Sequence, residues 1–213
     1  GDVKVLNAPS ILYTYLGVNM EDPVLSDVRV RRAIAHAIDR DAIITYKFGG
    51  MARPATGLLA PEHPMYEGRV ARNRYDPVMA MRLLDEAGFP DPDGDGPAKR
   101  FELTYKTSTN KFRLGVAKVL AGQLEAVGIG VKLRAYEFGT FFSDVKAGNF
   151  QLYSLQWTEP VEPDSYRSIF HSRNVPGADP ASTGINRGRY KNPALDALLD
   201  AGRAELDPEK RKA

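Results

Sequence analysis

Along Ser26–Asp41 (SDVRVRRAIAHAIDRD) apolar side chains recur at helical spacing. Val30, Ile34, Ala37 and Ile38 fall at i, i+4, i+7 and i+8 and form one stripe, while Arg29, Arg31, Arg32 and Arg40 project elsewhere. The pattern predicts a basic amphipathic helix that stops and restarts, with Asp39 capping a second short helix that ends near Gly49-Gly50. Period-two alternation or β-branched and aromatic enrichment marks strands at Tyr13–Asn19, Phe101–Thr107, Ile129–Tyr136 and Phe150–Gln156. Further helices are predicted from Asp76-Pro77 to Gly88, over Asn110–Val127 with Leu114, Ala117, Ala121 and Leu124 inward, and over Phe138–Ala147 and Asp164–Phe170. Pro193–Leu206 with Asn192 as cap is another, and Asp207-Pro208 begins one more. Gly49–Arg74, rich in Pro and Gly, reads as a long irregular connection. Strands alternating with helices predict an α/β domain around one sheet, occupying residues 1–213 as a single unit.

Composition narrows the function classes. A net charge of +2, with Lys and Arg interspersed among Asp and Glu, argues against a nucleic-acid partner. The absence of cysteine excludes disulfides, thiolate zinc sites and Cys nucleophiles. No apolar run approaches the roughly 20 residues needed to span a bilayer. With no export signal at its start and a helix just beginning at its end, the chain is expected to be a piece of a longer protein.

The sharpest formal motif is acidic. Asp91, Asp93, Asp95, Gly96 and Glu102 match D-x-D-x-D-G-x5-E, the calcium-loop spacing that sets hard carboxylate oxygens at alternate positions. A strand is predicted where the exiting helix of such a loop belongs, so the turn is read as a solvated acidic connection and no metal or cofactor is assigned. His36, His63 and His171 are too scattered for a local ligand pair, and there is no G-x-S-x-G elbow or Walker A loop. No catalytic set is identified, and the chain is not expected to be an enzyme.

The best candidate for binding is Tyr153–Asp164 (YSLQWTEPVEPD), where a strand runs into the only Trp with two Glu and two Pro beyond. A strand end offers backbone N–H and C=O groups to an extended peptide, an aromatic ring covers an apolar side chain, and a carboxylate pairs with an ammonium. Trp157 as a core anchor is the alternative.

Several stretches in order resemble one family. Asp27–Ile44 (DVRVRRAIAHAIDRDAII) followed by Gly49-Gly50, Ala52, Pro54 and Pro61 looks like the signature region of family 5 extracellular solute-binding proteins, the dipeptide, oligopeptide and nickel receptors of ABC importers. Tyr75-Asp76-Pro77, Ala80, Leu83-Leu84 and Glu86-Ala87-Gly88-Phe89 are similar to the family's YDP..A..LL.EAGF helix. Gln123–Val131 and Phe138–Phe150, with its K-A-G-N-F ending, resemble the elements that follow. So do Trp157, Glu162-Pro163-Asp164 and Tyr166, and then Asn186-Arg187-Gly188-Arg189-Tyr190, Asn192-Pro193 and Leu195-Asp196.

The resemblance implies lobe two of a type II periplasmic-binding fold, a mixed sheet flanked by helices, which traps solute against a second lobe and delivers it to an ABC permease. It implies a monomeric protein, periplasmic or extracellular, with room for a lipidated N-terminal anchor. In peptide receptors of this kind an Asp three residues after the Trp clamps the peptide amino group. Here that position is Pro160, and Glu159 is the substitute candidate. Dipeptide receptors also hold the ligand carboxylate with an Arg near the start of the helix after the FELTYK-like strand, and Arg113 lies close to that position. The candidate ligand-binding residues are therefore Leu155, Gln156, Trp157, Thr158, Glu159, Arg113 and Tyr136. A peptide is the expected ligand, with a nickel chelate, opine or sugar oligomer as alternatives. A ligand sensor within a regulatory protein is one rival class, and an enzyme, whose residues the sequence does not identify, is the other.

Overall fold

Capping side chains start the helices where the sequence places them. In a computed structural model describing residues 4, 10–94, 96–158, 161–177 and 183–212, Asp39 accepts from the Ala42 N–H and Asp76 from the Met79 N–H, both at 2.9 Å. Asn192 accepts from the N–H groups of Ala194 and Leu195. Each satisfies a donor that the first helical turn leaves unpaired. The order is β1 (Tyr13–Val18), α1 (Val28–Ala37), α2 (Arg40–Lys47), α3 (Pro77–Glu86), β2 (Phe101–Ser108), α4 (Lys111–Glu125), β3 (Ile129–Tyr136), α5 (Phe138–Ala147) and β4 (Leu152–Trp157). A C-terminal section follows: α6 (Ser165–Phe170), a 3-10 turn at Ser172–Asn174, α7 (Pro193–Ala204) and α8 (Pro208–Lys212).

The four strands form one mixed sheet in the order β1-β4-β2-β3. β2 is parallel to both β3 and β4, while β1 runs antiparallel to β4 with Tyr13 opposite Trp157 and Val18 opposite Leu152. Successive strand residues face opposite sides, which divides the core in two. On one side Leu103, Tyr105, Ile129 and Leu152 pack with the buried stripes of α1, α3 and α4. On the other, Tyr153 and Leu155 are covered by Phe141 and Val145 of α5, with Phe150 and Tyr15 at the margin. Burying an aliphatic or aromatic side chain of this kind stabilises by roughly 1.5–3 kcal/mol before conformational entropy is charged against it.

Two elements differ from the expected pattern. The buried stripe of α4 is Val116, Ala117, Leu120, Ala121 and Leu124, and Leu114, in a first turn whose residues are exposed or half-buried, is only half-buried. The last strand begins at Leu152, not Phe150, because the chain first closes α5: Gly148 takes the left-handed conformation at φ 83°, and the Asn149 N–H returns to the Asp144 carbonyl. The shift carries Trp157 into the strand as its final residue.

Candidate functional site

Because β2, β3 and β4 are mutually parallel, their carboxyl ends, Ser108, Tyr136 and Trp157, share one edge of the sheet, and antiparallel β1 starts there at Tyr13. In open α/β sheets this edge is where ligands bind, since loops and helix starts converge there. An open depression of about 410 Å³ lies on it, lined by Ser108, Thr109, Asn110, Arg113, Glu137 and Phe138. Asn110 caps α4 by accepting from the Arg113 N–H at 3.1 Å, and Glu137 caps α5 by accepting from the Gly139 N–H at 2.7 Å and the Thr140 N–H at 3.3 Å. The Glu137 carboxylate is thus committed to backbone donors, and Arg113 makes no ion pair among the described residues.

From Arg113 a ladder of rings and cations runs along the edge. The Arg113 guanidinium lies 5.4 Å from the Phe138 centroid, and Phe138 stacks on Phe142 at 5.7 Å with 8° between the planes. Arg187 follows, its guanidinium carbon 5.0 Å from the Phe142 ring and 4.8 Å from that of Trp157. Trp157 stacks on Tyr15 at 5.7 Å and 14°, and Tyr15 on Tyr13 at 6.2 Å and 21°. Aromatic stacking and cation–π contact each contribute about 0.5–1.5 kcal/mol in such settings and hold the rings in place. Burial pushes the Tyr153 hydroxyl beneath this strip above its ordinary value, with Tyr15 adding to the shift and Arg187 opposing it.

The residues expected at the site are distributed unevenly. Trp157 is half-buried at the strand end, so it is neither a sealed core residue nor a free one. Gln156 is exposed and donates from Nε2 to the Thr14 hydroxyl at 3.3 Å, and Thr158 is exposed. Leu155 is 5 % exposed and packs in the cluster beneath α5, which leaves only its backbone to the edge. Tyr136 is half-buried, with its carbonyl accepting from the Thr109 N–H at 2.9 Å and the Lys106 ammonium 5.6 Å from its ring. Glu159, with Pro160, lies outside the described residues. Tyr13, Tyr15, Phe138, Phe142 and Arg187 belong to the edge as well, beyond the residues that the sequence singles out. The i, i+2 tyrosines on a strand and the i, i+4 phenylalanines on a helix were a visible signal for shared faces. Arg187 had none, since a loop 30 residues further on delivers it.

The acidic turn serves its own loop. Asp93 accepts from the Ala98 N–H at 2.9 Å, Asp91 from the Asp93 N–H at 3.2 Å, and Arg100 pairs with Asp85. Glu102 already belongs to β2 and bonds Lys132 on β3 at 2.6 Å. Asp95 is outside the described residues.

Comparison with known proteins places this arrangement. The family model for bacterial extracellular solute-binding proteins, family 5, middle region, matches residues 1–177. A Brucella ovis protein named as an ABC transporter peptide-binding protein is 34% identical over 218 residues, covering 99% of this chain and 39% of its own length. The oligopeptide-binding protein AppA of Bacillus subtilis, solved with a nonapeptide, superposes with a TM-score of 0.86 at 28% identity, over 98% of this chain and 42% of that one. NikZ of Campylobacter jejuni, solved with Ni(L-His), gives a TM-score of 0.82 at 27% identity, over 97% and 42%. The chain therefore spans about two fifths of the length of the relatives it matches. By the extent of the family match and the shared fold, this chain belongs to the bacterial extracellular solute-binding proteins of family 5.

Proposed function

We propose that the chain is one α/β lobe, lobe two, of the substrate-binding component of an ABC importer, a receptor that encloses a peptide between two lobes and hands it to a membrane permease. The observation that carries this reading is the ladder from Arg113 to Tyr13 along the carboxyl edge of the sheet, a row of mutually stacked rings and cations in which Phe138 is exposed and Trp157 half-buried. An extended peptide lying there meets rings for its apolar side chains and arginines for its carboxylates. The backbone of β4 beyond Tyr153 is not paired with β2, which leaves strand groups for main-chain bonds on that side. The likeness to AppA with a nonapeptide supports the same class of ligand. Closure by a hinge, monomeric action, location outside the cytoplasmic membrane with an optional lipid anchor, and the absence of catalysis all belong to this reading.

Within it, Trp157 covers an apolar part of the ligand, Arg113 holds an anionic group, and Glu159 receives a cationic one. Gln156, Thr158, Tyr136 and the Leu155 backbone complete the wall. The likeness to NikZ favours one second reading, a nickel–histidine chelate. Native mass spectrometry of the full-length receptor as purified, with metal analysis, separates them. Retained short peptides are expected; stoichiometric nickel with histidine supports the second reading. Calorimetry with the retained ligand should then show Trp157→Ala weakening binding by roughly 1–3 kcal/mol, the range for a lost aromatic contact. Undiminished affinity in that variant removes Trp157 from the site.

A further inference from the structure

We propose that Arg187 is a carboxylate receptor of this ligand site, a guanidinium that has no counter-ion among the described residues, so that the solute supplies one. The proposal rests on the peptide-receptor reading and names a specificity determinant within it. Arg187 is half-buried, its guanidinium carbon lies over both Phe142 and Trp157, and it makes no ion pair among the described residues. Its hydrogen bonding is nearly unmet: one terminal nitrogen reaches the Tyr15 hydroxyl at 3.5 Å, a long contact, and Nε is buried with no acceptor. Arginine has five N–H donors, and rings against its faces leave the in-plane donors to bond at its edge. A partly desolvated cation in this state favours a planar anion that takes two parallel N–H bonds, and a carboxylate has that shape.

The loop that carries Arg187 is anchored on both sides of it. Asn186, 1 % exposed, donates to the carbonyls of His171 at 3.2 Å and Tyr190 at 2.7 Å and accepts from the Tyr190 N–H at 3.1 Å. Beyond Arg187, the Gly188 carbonyl accepts from the Met20 N–H at 2.9 Å. Arg189, held at φ 59°, reaches Glu21 at 3.6 Å. A guanidinium fixed on both sides of its own residue loses little freedom when a ligand arrives, which is how preorganisation raises affinity. The neighbouring arginine of the same loop, Arg189, has its carboxylate; Arg187 faces rings instead.

The carboxylate has two possible sources in a peptide, the terminal group and an acidic side chain. The test uses the full-length receptor and random pentapeptide mixtures as free acids and as C-terminal amides, with amidated mixtures fixed at Glu or Gln as a further arm. Wild type should prefer the carboxylate-bearing member of one pair by roughly 10- to 100-fold, the range for one charge-assisted contact. Preference for free acid identifies the terminus, and preference for Glu over Gln identifies the side chain. Arg187→Gln should erase that preference, so that the two members of the pair bind alike whatever their common affinity. Arg187→Lys, a point charge without the fork, should keep part of it, and it carries the test alone if Arg187→Gln does not fold. A preference unchanged in either variant, or absent from wild type, overturns the proposal. If wild type binds no peptide mixture, the peptide reading fails separately. Succinate against succinamide then decides: a melting shift by succinate that Arg187→Gln loses sustains the carboxylate site, and no shift overturns it.

Discussion

Gly17 stands directly opposite Tyr153 across the β1–β4 pair, and a methyl group on Gly17 would lie 2.2 Å from the Tyr153 ring. The ring is buried in one cluster with Phe141 and Val145 of α5 and meets Phe150 edge-on at 4.7 Å. Gly17→Ala should therefore destabilise the lobe by roughly 1–3 kcal/mol, the usual cost of overpacking a close contact. Tyr153→Leu in the same chain should recover part of the loss, and denaturant melts of the two single variants and the double variant would show that coupling. Additive losses would mean that the ring is not what excludes a side chain.

Asn186 ties the Arg187 loop to the end of α6, its side-chain amide donating to the carbonyls of Phe170 at 3.3 Å and His171 at 3.2 Å. Asn186→Ala should lower stability by about 1–3 kcal/mol, since buried acceptors are left unmade. Ligand affinity should fall with it, because the guanidinium is then less well held. Asn186→Asp, which keeps the acceptor and loses the donors, should be nearly as damaging in a melt at neutral pH.

Asp200 fastens α7: it accepts from Arg167 Nε at 2.7 Å and faces His171 Nε2 at 3.3 Å. The bond from Arg167, then that from His171, holds its carboxyl below the ordinary value of 3.8. A carboxyl lowered on folding stabilises fully above its unfolded value and loses that stabilisation as pH falls through 3.8 toward the folded value. Wild type should therefore melt above Asp200→Asn at neutral pH, and the gap should close as the pH drops below 4 or so. A gap independent of pH would assign the difference to shape, not charge.

The acidic turn should not respond to calcium. Its carboxylates already serve Ala98, Arg100 and Lys132, so millimolar Ca²⁺ should move the melting midpoint by less than about 4 °C, on the order of 1 kcal/mol in a domain of this size. A larger rise would place a metal at Asp91–Glu102, with Asp93→Ala expected to abolish it.

Much of the fold was readable from residue order, because its causes are local. Asp39, Asp76 and Asn192 announce helix starts through a side chain that bonds an amide two or three residues away, and the Val30, Ile34, Ala37, Ile38 stripe fixes which face of the first helix is buried. The alternation of Leu103 and Tyr105 places β2 for the same reason. The binding edge was legible only at Trp157, where a strand visibly ends, and at Arg113, through resemblance. Strand order, the parallel alignment that gathers Ser108, Tyr136 and Trp157, and the burial of Leu155 under α5 depend on pairings between segments far apart in the chain. The seating of Arg187 between Phe142 and Trp157 is the extreme case. No periodicity around residue 187 reveals it, and it exists because Asn186 and Gly188 bond to elements far away in the chain and so anchor the loop at two points at once.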